Sequence, residues 1–174
     1  MYQDLLEQAR ILAKLDAKKP KQANLRRAVS SAYYAVFHFL VHEACCAQIG
    51  TQHAQAAYRH VLGRAFVHGH MKLACSSFGG GTLKKEVIKG LPRNAQGNYV
   101  IPKAIQDIAE MFVELQEKRH FADYDLTERF ERADVLSSIE QARIYVAKFS
   151  ELPASDDKSF FLACLWAWKD LTNR

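Results

Sequence analysis

The amino-acid sequence predicts an all-α fold. Apolar residues recur at intervals of three and four along most of the 174-residue chain, which is the period of an amphipathic helix. No segment of adequate length alternates apolar and polar residues, and the strand-like run Tyr99-Val100-Ile101 is too short to found a sheet. The balance of apolar and charged residues is that of a folded globular protein. We therefore predict one helical domain, residues 1–174.

Three helices are predicted in the N-terminal half. Residues 3–17 place leucines and alanine on one face, and this helix ends before Pro20, because the residue preceding a proline disfavours helix. The second helix runs over about residues 22–47 and ends at Gly50, with Thr51 as a candidate N-cap of the third, over about 52–75. The segment 76–102 is rich in glycine, proline and asparagine. We predict that residues 51–101 form an inserted helix and a long flexible loop.

The C-terminal half predicts three more helices. Pro102 suits the first turn of a fourth helix, which reaches Tyr124. A break at 125–127 precedes the fifth helix, with Thr127 as its predicted cap. Pro153 separates a C-terminal helix in residues 155–174, beginning at Asp156. We expect about five to six helices in all.

The formal charge of +5 combines unlike parts. Residues 1–50 carry +3, residues 51–103 carry +7 with Glu86 as their single acidic residue, and residues 104–174 carry −5. The basic middle block predicts one of two roles. It contacts phosphate or RNA, or it docks on the acidic third of the same fold or of a partner subunit.

Other classes of protein find little support in the sequence. No apolar run approaches the roughly 18 residues that a membrane span needs. The four cysteines show no CxxC motif, which predicts reduced, mostly buried thiols in a cytoplasmic protein. His68 and His70 do not share a helix face and the glycines at 79–81 do not form a phosphate-binding loop, so we expect no metal and no cofactor.

Four polar residues form a stripe along the second predicted helix. Arg27, Ser31, Tyr34 and His38 follow one another at spacings of four, three and four, beside a strongly apolar face. One interpretation is a lined pocket, in which Arg27 binds an anion and His38 titrates near neutral pH. The other is a hydrogen-bonded polar seam between helices.

A second concentration of chemistry lies near the end of the fourth predicted helix. Arg119 and Asp123 are four residues apart and can pair on one face, while His120 and Tyr124 share the adjacent face. An exposed pair of this kind stabilises a helix by only about 0.2–0.5 kcal/mol. We therefore expect a helix-end anchor between subunits, or the rim of a site.

Together the two segments resemble the HEPN superfamily (higher eukaryotes and prokaryotes nucleotide-binding). The residues that carry the resemblance are RRAVSSAYYAVFH at 26–38 and RHFADY at 119–124, in that order. The resemblance implies an up-and-down helical bundle, usually a homodimer with a cleft at its interface. Many members are metal-independent ribonucleases with a histidine four to six residues after an arginine. Others bind nucleotides or partner a minimal nucleotidyltransferase in toxin–antitoxin pairs.

This sequence departs from the nuclease signature. No histidine follows His120, and Asp123 and Tyr124 stand where the histidine is expected. The segment Arg64–His70 matches the arginine–histidine spacing, but it falls on the third predicted helix rather than on a motif helix.

Three functional hypotheses follow. The first is a nucleotide- or RNA-associated module of a bacterial toxin–antitoxin, defence or stress system, with a nucleotidyltransferase-type antitoxin as a candidate partner. The second is a metal-independent endoribonuclease, and the third is a purely structural or protein-interaction dimer. The candidate ligand-binding residues are Arg27, Ser31, Tyr34 and Tyr124, and the candidate catalytic residues are Arg119, His38, His120 and Asp123.

Overall fold

The structure, a computed structural model, describes residues 1–173, and within them it is helical with no β-strand. A 3-10 helix, His53–Gln55, precedes the third of the α-helices. In chain order these are α1 Tyr2–Lys14, α2 Gln22–Ile49, α3 Ala56–Gly63, α4 His68–Gly79, α5 Lys103–Tyr124, α6 Arg132–Glu151 and α7 Asp156–Thr172. The all-α prediction is confirmed. Across these residues, no helix combines the length and apolarity needed to span a membrane.

The chain divides into two compact units. Unit 1 consists of Met1–Phe39 and Met111–Ser150, and unit 2 consists of Leu40–Glu110 and the chain from Glu151 onward. Helices α2 and α5 each contribute residues to both units. The expectation of a single domain stays a prediction.

Unit 1 is built from α1, the first part of α2, the last part of α5, and α6. Its core contains a chain of ring contacts. Phe39 packs edge-on against Tyr2 and Phe149, with ring centroids 5.1 and 5.9 Å apart, and the fully buried Tyr33 lies 5.6 Å from Phe112. Burying each such ring stabilises the fold by roughly 1.5–3 kcal/mol. The apolar period of α2 forms this core and leaves its polar stripe outside it.

The carboxyl end of α5 is held by Arg26 of α2. The last carbonyl groups of a helix have no partner within it. Here the Arg26 guanidinium donates to two carbonyl groups in the last turn of α5 and to two in the segment that follows. Its acceptors are the carbonyl oxygens of Phe121 at 3.2 Å, Ala122 at 2.9 Å, Asp125 at 2.8 Å and Glu128 at 2.5 Å. Arg26 thereby connects the two segments that carry the HEPN resemblance.

The predicted cap at Thr127 is wrong. Asp125 organises this turn, because its Oδ1 accepts hydrogen bonds from the Thr127 backbone N–H and hydroxyl and from the Glu128 N–H. Helix α6 begins only at Arg132. The side chain of Gln22 pairs with both backbone groups of Phe130, which holds this non-helical stretch until α6 starts.

Unit 2 is organised around Phe78 of α4. Its fully buried ring lies 4.9 Å from that of Phe161 and 6.2 Å from that of Trp168, both on α7. Helix α4 ends against α5, where a Cβ at Gly79 would lie 2.8 Å from Glu110 Cγ and 3.1 Å from the Glu110 backbone nitrogen. A side chain at position 79 would therefore force the two helices apart.

Two predictions in this region are wrong. The third predicted helix is two helices, because the chain leaves the helical path after Gly63 and buries Phe66 before α4 begins. The start of the segment 76–102, predicted as part of the flexible loop, is helical as far as Gly79, because burial of Phe78 keeps it in α4. Tertiary packing outweighs the local preference of serine and glycine in both places.

Candidate functional site

The polar stripe of α2 lines a cavity of about 440 Å³ in unit 1. Helix α1 forms the facing wall. The lining residues are Leu5, Gln8 and Leu12 from α1, and Arg27, Ser30, Ser31, Tyr34 and His38 from α2. The structure therefore brings all four residues of the predicted stripe together on one wall. The cavity is open to solvent and mixes polar groups with two leucine side chains.

Arg27 supplies the positive charge of this cavity. Its side chain is exposed and makes no hydrogen bond or ion pair with any other of residues 1–173. Nearby, the Ser31 hydroxyl donates to Gln8 Oε1 at 3.3 Å. A guanidinium presents several donors in one plane, a geometry suited to phosphate or carboxylate oxygens. Arg27 is therefore available to an anionic ligand without breaking an existing contact.

His38 lies half-buried at another part of the same wall. Its ring stacks on Tyr34 with centroids 6.2 Å apart and meets Phe37 edge-on at 5.4 Å. Burial lowers the pKa of His38 below its ordinary value of about 6.5, so the imidazole is neutral at pH 7. Neither ring nitrogen hydrogen-bonds to another described residue, so His38 can donate to or accept from a ligand.

Arg119 and Asp123 do not line the cavity, but they bind two of the residues that do. The Arg119 Nε is 2.6 Å from Asp123 Oδ2, an ion pair without the alignment of a hydrogen bond. Arg119 Nη2 donates to Tyr34 Oη at 3.3 Å, and the Ser30 hydroxyl donates to Asp123 Oδ1 at 2.7 Å. The pair is thus connected to the cavity through Tyr34 and Ser30.

Aromatic rings surround the Arg119 guanidinium. Its Cζ lies 5.9, 5.7 and 5.6 Å from the ring centroids of Tyr33, Tyr34 and Tyr124. Burial by itself would lower the pKa of Arg119, but the electrostatic pull of Tyr34, Asp123 and the other tyrosines outweighs it and the pKa is raised. Only 23% of the side chain is exposed. Arg119 therefore remains charged, and its geometry suits positioning Tyr34 more than binding a free phosphate.

The structure does not bring His120 into the cavity. Its exposed ring contacts Phe121 and Tyr124, with centroids 6.2 and 5.1 Å apart, and makes no hydrogen bond with the described residues. Tyr124 is exposed as well, and its ring lies against the Arg119 guanidinium. Of the two faces predicted at the end of α5, the Arg119–Asp123 face is the one connected to the stripe.

Sequence reasoning missed roles for Ser30 and Arg26. Ser30 is only 3% exposed, and its hydroxyl donates a hydrogen bond to Asp123, so it joins α2 to the Arg119–Asp123 pair. A hydroxyl residue inside the apolar face of α2 was an available signal, because a buried hydroxyl needs a partner. Helix geometry indicates that Arg26 and Arg27, adjacent in the chain, face different surroundings, but no local pattern indicates which of them binds the end of α5.

Other candidate chemistry is sparse. Within residues 1–173 no three histidine, cysteine or acidic side chains are grouped as metal ligands. Arg64 lies just past α3 and His70 lies in the first turn of α4. The four cysteines are free thiols, three of them buried, and burial raises the pKa of Cys164 to about 12.

Comparisons with known proteins found no match among protein-family models, curated proteins or solved structures. The function is therefore inferred from the cavity and from the resemblance of its two motif segments.

Proposed function

We propose that this protein is a HEPN-like module that binds a nucleotide, or the phosphate-bearing end of an RNA, in the cavity between α1 and α2. One observation carries the proposal. The cavity wall holds Arg27, a cation without an ion-pair partner in residues 1–173, together with Ser31, Tyr34 and His38. The two motif segments of the resemblance also meet here, through Ser30–Asp123 and Tyr34–Arg119.

The chemistry of the cavity suits both parts of such a ligand. Arg27 can bind phosphate oxygens, and the Ser31 hydroxyl can join it by exchanging its bond to Gln8 for one to phosphate. Leu5 and Leu12 offer apolar surface to a sugar or base. A volume of about 440 Å³ lies within the range of small-molecule sites. His38 and Tyr34 add aromatic faces on which a base can stack.

The wider context of the proposal comes from the resemblance. We infer an up-and-down HEPN-like bundle that works as a homodimer in a bacterial toxin–antitoxin, defence or stress system. A minimal nucleotidyltransferase is the candidate partner. The all-α fold and the connection between α2 and α5 through Arg26 are consistent with this inference.

The test is thermal unfolding in the presence of AMP, ADP and ATP. A ligand at 100 times its Kd stabilises the folded state by about 2.7 kcal/mol, which raises Tm measurably. We expect Arg27→Gln to lose this rise. The matched control is Arg129→Gln, which removes an exposed arginine that also has no ion-pair partner in residues 1–173. No rise in wild type, or an equal rise in both variants, would contradict the proposal.

A metal-independent endoribonuclease is the second candidate, favoured by the neutral, unbonded imidazole of His38 in the cavity. RNA cleavage of this kind needs a base for the 2′-hydroxyl, an acid for the leaving 5′-oxygen and a cation for the developing charge. His38 can accept the proton of the 2′-hydroxyl as base and return it, as acid, to the leaving 5′-oxygen. Arg27 can supply the cation, with Arg119 positioning Tyr34.

This candidate predicts RNA cleavage that persists in EDTA. His38→Ala and Arg119→Ala should abolish it, while His42→Ala, an exposed histidine one turn further along α2, should retain it. Wild type that cleaves no RNA would exclude the nuclease. A purely structural or protein-interaction dimer would show neither cleavage nor nucleotide-dependent stabilisation.

A further inference from the structure

A second cavity lies in unit 2, within the segment that joins α4 to α5. Its volume is about 370 Å³, and Thr82, Leu83, Ile88, Arg93, Asn98 and Tyr99 line it together with two glycines. It shares no residue with the cavity of unit 1. The two cavities therefore have separate linings.

The segment is anchored to unit 2 despite its irregular backbone. Leu83, Val87 and Ile101 are buried, at 7, 8 and 4% exposure. Tyr99 Oη donates to Asp157 Oδ1 of α7 at 2.6 Å. Burial and this carboxylate raise the pKa of Tyr99, so the phenol keeps its proton. The cavity is therefore formed before any ligand arrives.

A tight turn builds one end of the cavity. Asn94 Oδ1 accepts from the backbone N–H groups of Gln96 and Asn98, and Gly97 adopts a φ of 77°, which glycine tolerates best. Arg93 Nη1 donates to the Gly97 carbonyl at 3.0 Å, which orients its guanidinium. The remaining donors of Arg93 stay available to a ligand.

Two further polar groups on the wall have no internal use. The Thr82 hydroxyl and the Asn98 side-chain amide make no hydrogen bond with any other of residues 1–173. Leu83 and Ile88 provide apolar contact within the same wall. A pocket with free donors and acceptors beside apolar surface suits a planar polar group, such as a nucleobase.

The surroundings of this cavity are strongly basic. Between Glu43 and Asp107 the sequence has one acidic residue, Glu86. Lys84 and Lys89 directly follow the lining residues Leu83 and Ile88, and Lys85 follows Lys84. These three lysines are exposed and form no ion pair with the described residues. Phosphates that flank a bound base would therefore lie near exposed cations.

We propose that this surface, residues 81–99, binds single-stranded nucleic acid, with one unstacked base in the cavity and neighbouring phosphates on Lys84, Lys85, Lys89 and Arg93. A duplex keeps its bases stacked and cannot fill the cavity. An acidic protein partner would need roughly 800 Å² of complementary surface with an apolar centre, whereas this site is concave and polar.

The test measures binding of a fluorescent 12-nucleotide oligouridine to the full chain by anisotropy at increasing salt. Four phosphate contacts on a single strand predict a slope of about −2.8 for log K against log salt, or roughly a 50-fold loss between 50 and 200 mM. Lys84→Gln/Lys85→Gln/Lys89→Gln should weaken binding at least about tenfold and flatten the slope. The matched control is Lys14→Gln/Lys18→Gln/Lys19→Gln, which removes three exposed lysines of unit 1.

A second variant tests the cavity itself. Asn98→Ala should lower the affinity for the single strand without changing the slope, because it removes a base contact and no charge. A duplex, inorganic polyphosphate and polyglutamate serve as competitors. Equal competition by any of the three would overturn the proposal, as would wild-type binding by the triple lysine variant.

The triple lysine variant and Asn98→Ala should both keep the nucleotide-dependent stabilisation proposed for the unit 1 cavity. Failure of the single-strand proposal is therefore distinguishable from failure of the unit 1 site.

Discussion

At the scale of single residues, neighbours in the sequence have different tasks. Arg26 donates to carbonyl groups at the end of α5 and just after it, whereas Arg27 has no partner in the described chain and lines the cavity. Ser30 and Ser31 diverge in the same way, the first bonded to Asp123 and the second to Gln8. A helix turns about 100° per residue, so adjacent side chains point to different surroundings.

The protonation of His38 predicts a dependence of stability on pH. Burial lowers the pKa of His38 in the folded state, so between that pKa and about 6.5 the unfolded chain binds more protons. The contribution of His38 to stability is therefore full above pH 6.5 and declines as pH falls through the folded pKa. We expect denaturant titrations from pH 8 to 5 to show wild type losing unfolding free energy relative to His38→Gln as the pH falls.

The control for this series is Ser31→Ala, which alters the same cavity without removing a titratable group. Arg27 and Tyr34 share the cavity with His38 and remain in both variants. A difference between wild type and His38→Gln that stays constant from pH 8 to 5 would contradict the assigned protonation.

At the scale of elements, helix ends decide how the site is held. The end of α5 brings Arg119 and Asp123 into contact with the cavity residues Tyr34 and Ser30. Arg26 holds that end by donating to the carbonyl groups of its last turn. Periodicity predicted the existence of both helices well. It could not predict this connection, because a hydrogen bond across more than 90 residues leaves no local pattern.

The adjacent residues Arg26 and Arg27 provide a prediction about how the end of α5 is held. Arg26→Gln removes charge-assisted hydrogen bonds to four carbonyl groups, each such bond contributing about 1.5–3 kcal/mol, so we expect a loss of at least about 2 kcal/mol in unfolding free energy. Arg27→Gln should change stability by less than about 0.5 kcal/mol. Urea titrations followed by circular dichroism measure both. Equal losses in the two variants would refute the division of roles.

At the scale of the whole molecule, two units share two helices. Unit 1 holds the Arg27 cavity and unit 2 holds the basic cavity of residues 81–99. The proposed nucleic-acid surface, residues 81–99, lies within the basic block of residues 51–103 that the sequence predicted to contact phosphate or RNA. Because α2 and α5 pass through both units, we expect the chain to unfold in one cooperative transition.

The two tryptophans allow a test of this cooperativity. Trp166 and Trp168 both lie on α7 in unit 2, so their fluorescence reports that unit. Phe149→Ala removes a fully buried ring from unit 1 and should cost about 3–5 kcal/mol. We expect Phe149→Ala to lower the midpoint of the unfolding transition detected by tryptophan fluorescence as much as the midpoint detected by circular dichroism. An unchanged fluorescence midpoint would show that the units unfold separately.

The sequence by itself determined the helical class, most helix positions and the polar stripe of α2, since all of these follow from local periodicity. It also contains the two segments that resemble HEPN proteins, and membership of that superfamily stays a prediction. Only the tertiary structure decided that α1 forms the facing wall of the cavity and that Asp123 accepts a hydrogen bond from Ser30. It also decided that Phe66 and Phe78 are buried, which changes the helix boundaries in the middle of the chain. Those outcomes depend on burial and hydrogen bonds between distant segments, which no local pattern encodes.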